Sequence, residues 1–491
     1  GAVGLYSSEA SKFNNTFNFE SGKNLKVSLG KNATFALLDS NNNINVELAK
    51  FLNNHANQKI EIANFEEGAS LVYAKNKVTA ILNEDYSLSN SVNNKSTAVL
   101  VGTTGAKVQV AAGKTLDTDT HIGLVATQKA TAENLGQIFT KRDSGVGLYA
   151  SAATAKNAAN AVIRTYSKES VAILGEKNST LENSGHILLN EQSSVGIYGK
   201  DSNITQKTGG KIELSKSTSV GMYGTITGGS TSSKGIKNEG EILALSGSSD
   251  FGSAGIYATL ENSANQSLTV ENSGNVKIAQ NSSAGIYVKN ESSQTAEKST
   301  INNTGLIETT GKKSVGIISK KSKVSNSGNN PSASSNPKGI LVKEASSAGI
   351  LATDHSKVSN GGDIELAATS VASAQEGLVG ISVDESSTVE NTGNINVKSQ
   401  YSTGISSKGG KVSNQKNILL EKTNSVAISA TDADVNNTNP ASIEVKEKES
   451  VGIYAKLTKS ENKTVHNTGK ILLNTLGAGT DGKSAAIYAL L

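Results

Sequence analysis

The 491-residue chain contains no cysteine and no tryptophan, only three prolines, and 4% aromatic residues. Without cysteine there are no disulfides, no thiolate metal sites and no cysteine nucleophile. No run approaches 18 consecutive apolar residues, so nothing here spans a bilayer as a helix. The opening segment, Gly1-Ala2-Val3-Gly4-Leu5-Tyr6, lacks the charged start and apolar stretch of a signal peptide. Basic residues number 47 against 43 acidic, and no basic block reads as a nucleic-acid footprint. Arginine is reduced to Arg142 and Arg164, which argues against bidentate phosphate recognition. A hydrophobic content of 36% is low for an ordinary globular core, but its placement is strongly periodic.

A tetrapeptide recurs along the whole chain. It reads Val-Gly-Leu-Tyr at 3–6 and 146–149, Val-Gly-Ile-Tyr at 195–198 and 451–454, Val-Gly-Met-Tyr at 220–223, and Ala-Gly-Ile-Tyr at 254–257 and 284–287. Further copies start at Val315, Ala348, Val379 and Ala485, and weaker ones at Phe35, Ala69, Thr97, Ile122, Val171, Thr403 and Val426. That makes 18 copies, with the shortest spacings at 23–25 residues and the longer ones read as the same unit carrying insertions. The second position is Gly, Ala or Ser throughout, and the third is Leu, Ile, Val or Met. A second landmark, Asn-x-Gly, appears at Asn183/Gly185, Asn238/Gly240, Asn272/Gly274, Asn303/Gly305, Asn360/Gly362, Asn391/Gly393 and Asn467/Gly469. Alternating apolar and polar residues follow at once, as at Ile187 to Leu189 and Ile395 to Val397. Such alternation marks strands with one buried face, and Asn and Gly at the break are expected to supply a left-handed corner.

A unit of about 24 residues with two or three short strands and tight corners is one coil of a parallel β-helix. The expected fold class is therefore all-β: a right-handed parallel β-helix, or β-solenoid, of about 18 coils with loop insertions. Coils stacked at about 4.8 Å would give a rod of roughly 85 Å. The third position (Ile197, Met222, Ile256, Ile286) should stack as an internal aliphatic ladder, and the corner Asn as an amide ladder. The leucine-rich repeat, the main rival at this period, is rejected because its Leu-x-x-Leu-x-Leu-x-x-Asn pattern is missing. Segments 126–138 and 150–165 are Ala-rich and helical by propensity, but spacings of 24 and 25 residues leave no room for a helix.

Four sections are expected. Residues 1–97 are an irregular N-terminal β-helix section holding Phe13, Phe17, Phe19, Phe35, Phe51 and Phe65, six of the eight Phe. Residues 98–220 are regular coils, 221–380 are coils with insertions, and 381–491 are coils again.

Few arrangements suggest chemistry. Asp117, Asp119 and His121 alternate and could converge on one side of a strand as metal ligands; an exposed strand leading into the next repeat is the plainer reading. Asp432/Asp434 and Asp354-His355 read as solvated turns. Calcium-binding nonapeptides, phosphate-cradling loops and Gly-x-Ser-x-Gly are missing. No coil concentrates the carboxylates that polysaccharide cleavage needs. We therefore expect no catalytic, cofactor-binding or metal-binding residues, no cofactor, and no enzyme activity. The fourth-position tyrosines (6, 149, 198, 223, 257, 287, 454 and 488) should form a partly exposed column that stabilises neighbouring strands or offers stacking to a ligand. Insertions at Thr225 to Lys234, Lys289 to Ser299, Asn329 to Lys338, Ala368 to Glu376 and Lys456 to Thr464 are the better candidates for specificity, although most of them read as solvated surface loops without function. The four between 221 and 380 could form one lateral ridge.

The tandem Ser-Val-Gly-Ile-Tyr and Asn-Ser-Gly-x-Ile pattern resembles the passenger domains of large fusobacterial type V autotransporters, of the arginine-inhibitable or galactose-binding adhesin type. The resemblance implies a cell-surface, extracellular adhesin passenger and a virulence factor. It would mediate attachment to host cells or coaggregation with other bacteria, without cofactor or nucleic acid. Its partners would be a host cell-surface glycan or receptor protein and the surfaces of other bacteria. The parent chain would be anchored to the outer membrane through a barrel not present in this sequence, which is expected to be a fragment or processed piece. Two other readings stand beside it: a structural stalk presenting a binding tip elsewhere in the parent protein, and a β-helix polysaccharide lyase or hydrolase.

Overall fold

The structure is a computed structural model describing residues 2–7, 25–49, 60–88, 97–227, 233–245, 252–261, 266–293, 298–368, 373, 376–458, 462–474 and 483–490. Its elements are all β-strands, and the chain folds as a right-handed parallel β-helix. A regular coil has three strands. One runs Val171–Glu176, Thr180–Asn183 and His186–Leu189; the next runs Val195–Lys200, Asn203–Gln206 and Lys211–Leu214. Each pairs in parallel with its equivalent one coil away, as Ile173 with Ile197 and Ile187 with Ile212. The Ala-rich segments are strands too, at Thr131–Asn134, Gln137–Thr140 and Thr154–Asn157. Stacking and pairing override their helical propensity. Internal contacts divide the chain into two units, Gly1–Thr225 and Ile226–Leu491.

Within the second unit the third tetrapeptide position is isoleucine in nine successive coils: 256, 286, 317, 350, 381, 405, 428, 453 and 487. All but the last are fully buried, and Ile487 is 44% exposed. The first unit builds the same column from Leu100, Leu124, Leu148, Ile173, Ile197 and Met222. The corner amides form the second ladder. In the second unit each Nδ2 of Asn238, Asn272, Asn303, Asn326, Asn360, Asn391, Asn414 and Asn437 donates to the next Asn Oδ1 at 2.7–2.8 Å. The first unit runs Asn134, Asn157, Asn183 and Gln206, every step 2.8 Å. Several amides give their other N–H to the carbonyl two residues ahead, as Asn391 to Gly393 at 2.9 Å. A buried amide left without partners would cost about 1–3 kcal/mol, so the ladder removes that penalty coil by coil.

Three expectations need correction. First, the repeat phase slips by one residue in three early coils. Pairing aligns Thr34, Ser70 and Ala98 at the first position, so the small second position is held there by Phe35, Leu71 and Val99, not by Ala36, Ser70 and Ala98. All three are buried. Elsewhere the position faces the interior against a neighbouring carbonyl: a Cβ on Gly196 would stand 2.5 Å from the Gly221 oxygen and 3.0 Å from Ile212 Cγ2.

Second, the Asn-x-Gly corners are not left-handed: none of their Asn or Gly has positive φ. Glycine is there because coils stack closely, so a Cβ on Gly305 would stand 2.0 Å from the Gly274 oxygen. Ordinary residues are left-handed at the other corners, as Lys177, Asp201 and Asp354 after the first strand and Ser144, Glu169, Ser193 and Thr218 before it, while coils without Asn-x-Gly place left-handed Gly113, Asn160 and Gly209 between the second and third strands.

Third, the insertions do not leave from one edge. Thr225 to Lys234, Lys289 to Ser299 and Lys456 to Thr464 follow a first strand, Asn329 to Lys338 follows a second, and Ala368 to Glu376 follows a third. Their residues 228–232, 294–297, 369–372, 374–375 and 459–461 lie outside the described residues, as do Phe13, Phe17, Phe19 and Phe51. Phe35 and Phe65 are buried.

Candidate functional site

The candidate metal trio is not assembled. Asp117 lies on the third strand Thr115–Thr118, where Lys141 Nζ donates to its Oδ2 at 2.6 Å; that hydrogen bond raises the Lys141 pKa. His121 stands past the corner and lines a different face. Among the described residues no group of three His, Asp or Glu is placed to hold a metal. Asp354 and His355 are adjacent left-handed turn residues, 3.3 Å apart. Asp432 is a turn residue but a buried one, accepting from the Thr458 backbone N–H at 2.6 Å and from its hydroxyl.

The tyrosine column exists and is half-exposed over much of its length. Ring centroids lie 4.8 Å apart for Tyr198 and Tyr223, 5.1 Å for Tyr257 and Tyr287, and 5.7 Å for Tyr454 and Tyr488. Corrected phasing adds Tyr73 to it. Between Tyr73 and Tyr149 the column drops to Val101 and Val125. The resulting open groove encloses about 590 Å³, with His121, Thr34 and Ser70 at its edge. Burial, then the hydrogen bond to Glu176, pushes the Tyr149 pKa up to about 12, so it remains a neutral donor.

A richer surface lies on the outer face of the third strands of the first unit. Register stacks Asp117, Phe139, Arg164, Leu188 and Glu213 in one outward column, beside Gln137, Val162, His186 and Lys211. The ends of the face are charge-compensated by Lys141 on Asp117 and Lys211 on Glu213. Its centre is different. The Arg164 guanidinium lies 5.9 Å from the Phe139 centroid and 5.8 Å from that of Tyr166, and the two rings meet edge-on at 5.9 Å. Arg164 Nη1 donates to the Tyr166 hydroxyl at 3.1 Å, while its Nε is buried without a hydrogen-bond partner. An enclosed donor of that kind costs about 1–3 kcal/mol, against about 0.5–1 kcal/mol gained from each cation–π contact. Tyr166 is 41% exposed.

Residues 141–293 match the family model of the BigA third pectate lyase-like domain. Arg164, Tyr166, His186 and Glu213 fall inside that segment and Phe139 just before it. No curated protein and no solved structure matches the chain.

His186 Nε2 lies 3.5 Å from Glu213. Burial is the largest influence on His186 and lowers its pKa, outweighing the opposite pull of Glu213. Burial tends to raise the Glu213 pKa, but its hydrogen bond with Lys211 and its contacts with His186 overcome this and lower it. Sequence reading missed the cluster. Its available signal was the placing of one of two arginines, beside a tyrosine, in a lysine-rich chain.

Proposed function

We propose that the chain is the passenger segment of a surface adhesin, non-enzymatic and without cofactor, attaching to host cells or coaggregating with other bacteria. The match to a BigA β-helical domain supports a surface-exposed, adhesin-like protein at the coarser level. The single observation that carries the finer reading is the half-exposed Phe139–Arg164–Tyr166 cluster on a laddered sheet face. Tyrosine and arginine are the side chains that most often dominate protein recognition surfaces, and a stacked scaffold holds them with little ordering cost on binding. The Tyr73–Tyr149 groove offers a second aromatic surface on the same unit.

The test is binding of the purified, labelled chain to epithelial cells and to partner bacteria, with free sugars and free amino acids as competitors. Saturable binding that one competitor class abolishes is the expected outcome. A well-folded chain that binds neither surface would leave the stalk reading in its place.

A further inference from the structure

We infer that Arg164, held against the Phe139 and Tyr166 rings, anchors a docking surface for an acidic, carboxylate-bearing segment of a protein partner. This deepens the adhesive reading and rests on it. Three observations and the chemistry of the guanidinium converge. Charge on the face is compensated at both ends, by Lys141 with Asp117 and Lys211 with Glu213, whereas among the described residues no carboxylate lies within ion-pair distance of Arg164. The guanidinium retains donor capacity: Tyr166 takes one N–H of Nη1, and among the described residues no acceptor meets the remaining terminal N–H groups. A planar fork with donors to spare matches a carboxylate in a way that an ammonium does not. The residue choice is itself informative, because 47 basic residues include only two arginines and a lysine would supply the same charge.

The shape of the site favours a protein. The cluster sits on the outer face of a sheet, beside the apolar side chains of Leu188 and Val162. Small ligands take concave sites that bury most of their surface. A sheet face rimmed by paired charges instead suits an extended partner whose own apolar side chains cover the rings. A carboxylate seated on Arg164 beside the covered rings would then be shielded from water, where the charge-assisted bond is strongest.

The experiment titrates a fluorescently labelled glutamate–tyrosine copolymer onto the purified full chain, alongside cell binding. Variants are Arg164→Lys, which keeps the charge and removes the fork, Tyr166→Ala, which removes one ring, and Arg142→Lys as the arginine control. Saturable copolymer binding is expected, weakened at least tenfold by Arg164→Lys and unaffected by Arg142→Lys, with superimposable circular dichroism. Protease treatment of the cells, or amidation of their surface carboxyl groups, should abolish attachment, and glycosidase treatment should not. Equal binding by Arg164→Lys and the parent chain overturns the anchor while leaving the adhesive reading standing. Attachment lost to glycosidase but indifferent to carboxyl amidation overturns it in favour of a neutral glycan. A folded chain that binds neither cells nor copolymer overturns both.

Discussion

The early coils of the first unit and the coils of the second unit solve one stacking problem by different means. In the second unit the interior corner is kept open by glycine and wired by asparagine. Gly349 leaves room for the Gly380 carbonyl, and Asn360 bonds Asn391. In the early coils hydrocarbon occupies both places: Phe35, Leu71 and Val99 replace the glycine, and Leu82 and Val110 stand in register with Asn134. There the long strands Thr34–Glu47 and Ser70–Leu82 also run on through the first corner, with a register shift between Ser40 and Ile44. A coil can thus be closed by close backbone approach with a polar ladder or by side-chain filling, and each choice commits its neighbours.

Exchanging the two devices tests this directly. The largest effect is expected where filling and emptying are swapped. Leu71→Ala should lose about 2–5 kcal/mol through the cavity it leaves. Gly349→Val should lose about 3 kcal/mol or prevent folding, since a Cβ there stands 2.6 Å from a carbonyl oxygen and the coils pack too tightly to yield cheaply. Urea unfolding followed by circular dichroism reads both. If Gly349→Val is as stable as the parent chain, the close-approach account of the glycine column is wrong.

The ladder comes next. Asn360→Ala removes its bonds to Asn391 and Gly362 and strands the Asn326 amide, so it should cost about 2–3 kcal/mol. The reverse change, Val110→Asn, should stay within about 1 kcal/mol, because the new amide can donate to Asn134 and lengthen that ladder by one step. Hydrogen exchange of the flanking amides would distinguish the two. Equal losses for both would mean that the ladder contributes no more than packing does.

A smaller effect separates the aromatic column from the core. Tyr223→Ala should cost about 1 kcal/mol through the lost ring contact with Tyr198, well below Leu71→Ala in the same urea experiment.

The smallest effect is acid sensitivity of the first unit. Folding lowers the pKa of His186, so the folded state resists its protonation. That stability is complete above the ordinary value of 6.5 and is lost as pH falls through the folded value. Glu213, also lowered, acts in the same sense below 4.5. Thermal melts should therefore show Tm declining from about pH 7 downward, with His186→Gln flattening only the upper part of the decline. An unchanged profile in that variant would rule His186 out as a contributor.

The sequence by itself determined the coil, its period and the residues that stack. An aliphatic residue at the third tetrapeptide position and asparagine recurring at one corner of most coils are local patterns that a parallel stack satisfies. It did not determine phase where the glycine signal fades. Phe35, Leu71 and Val99 are read one residue out because only pairing with neighbouring coils shows which side chain faces in. The role of the corner glycines was equally hidden, since contact with a carbonyl one coil away leaves no mark on the residue's own neighbours in sequence. The Phe139–Arg164–Tyr166 cluster is the clearest case. Phe139 and Arg164 are a coil apart in sequence and become adjacent only because parallel pairing sets one strand beside the next. Repeats specify a stack because every coil imposes the same local requirement; which side chains meet across the stack is decided when the coils are in register.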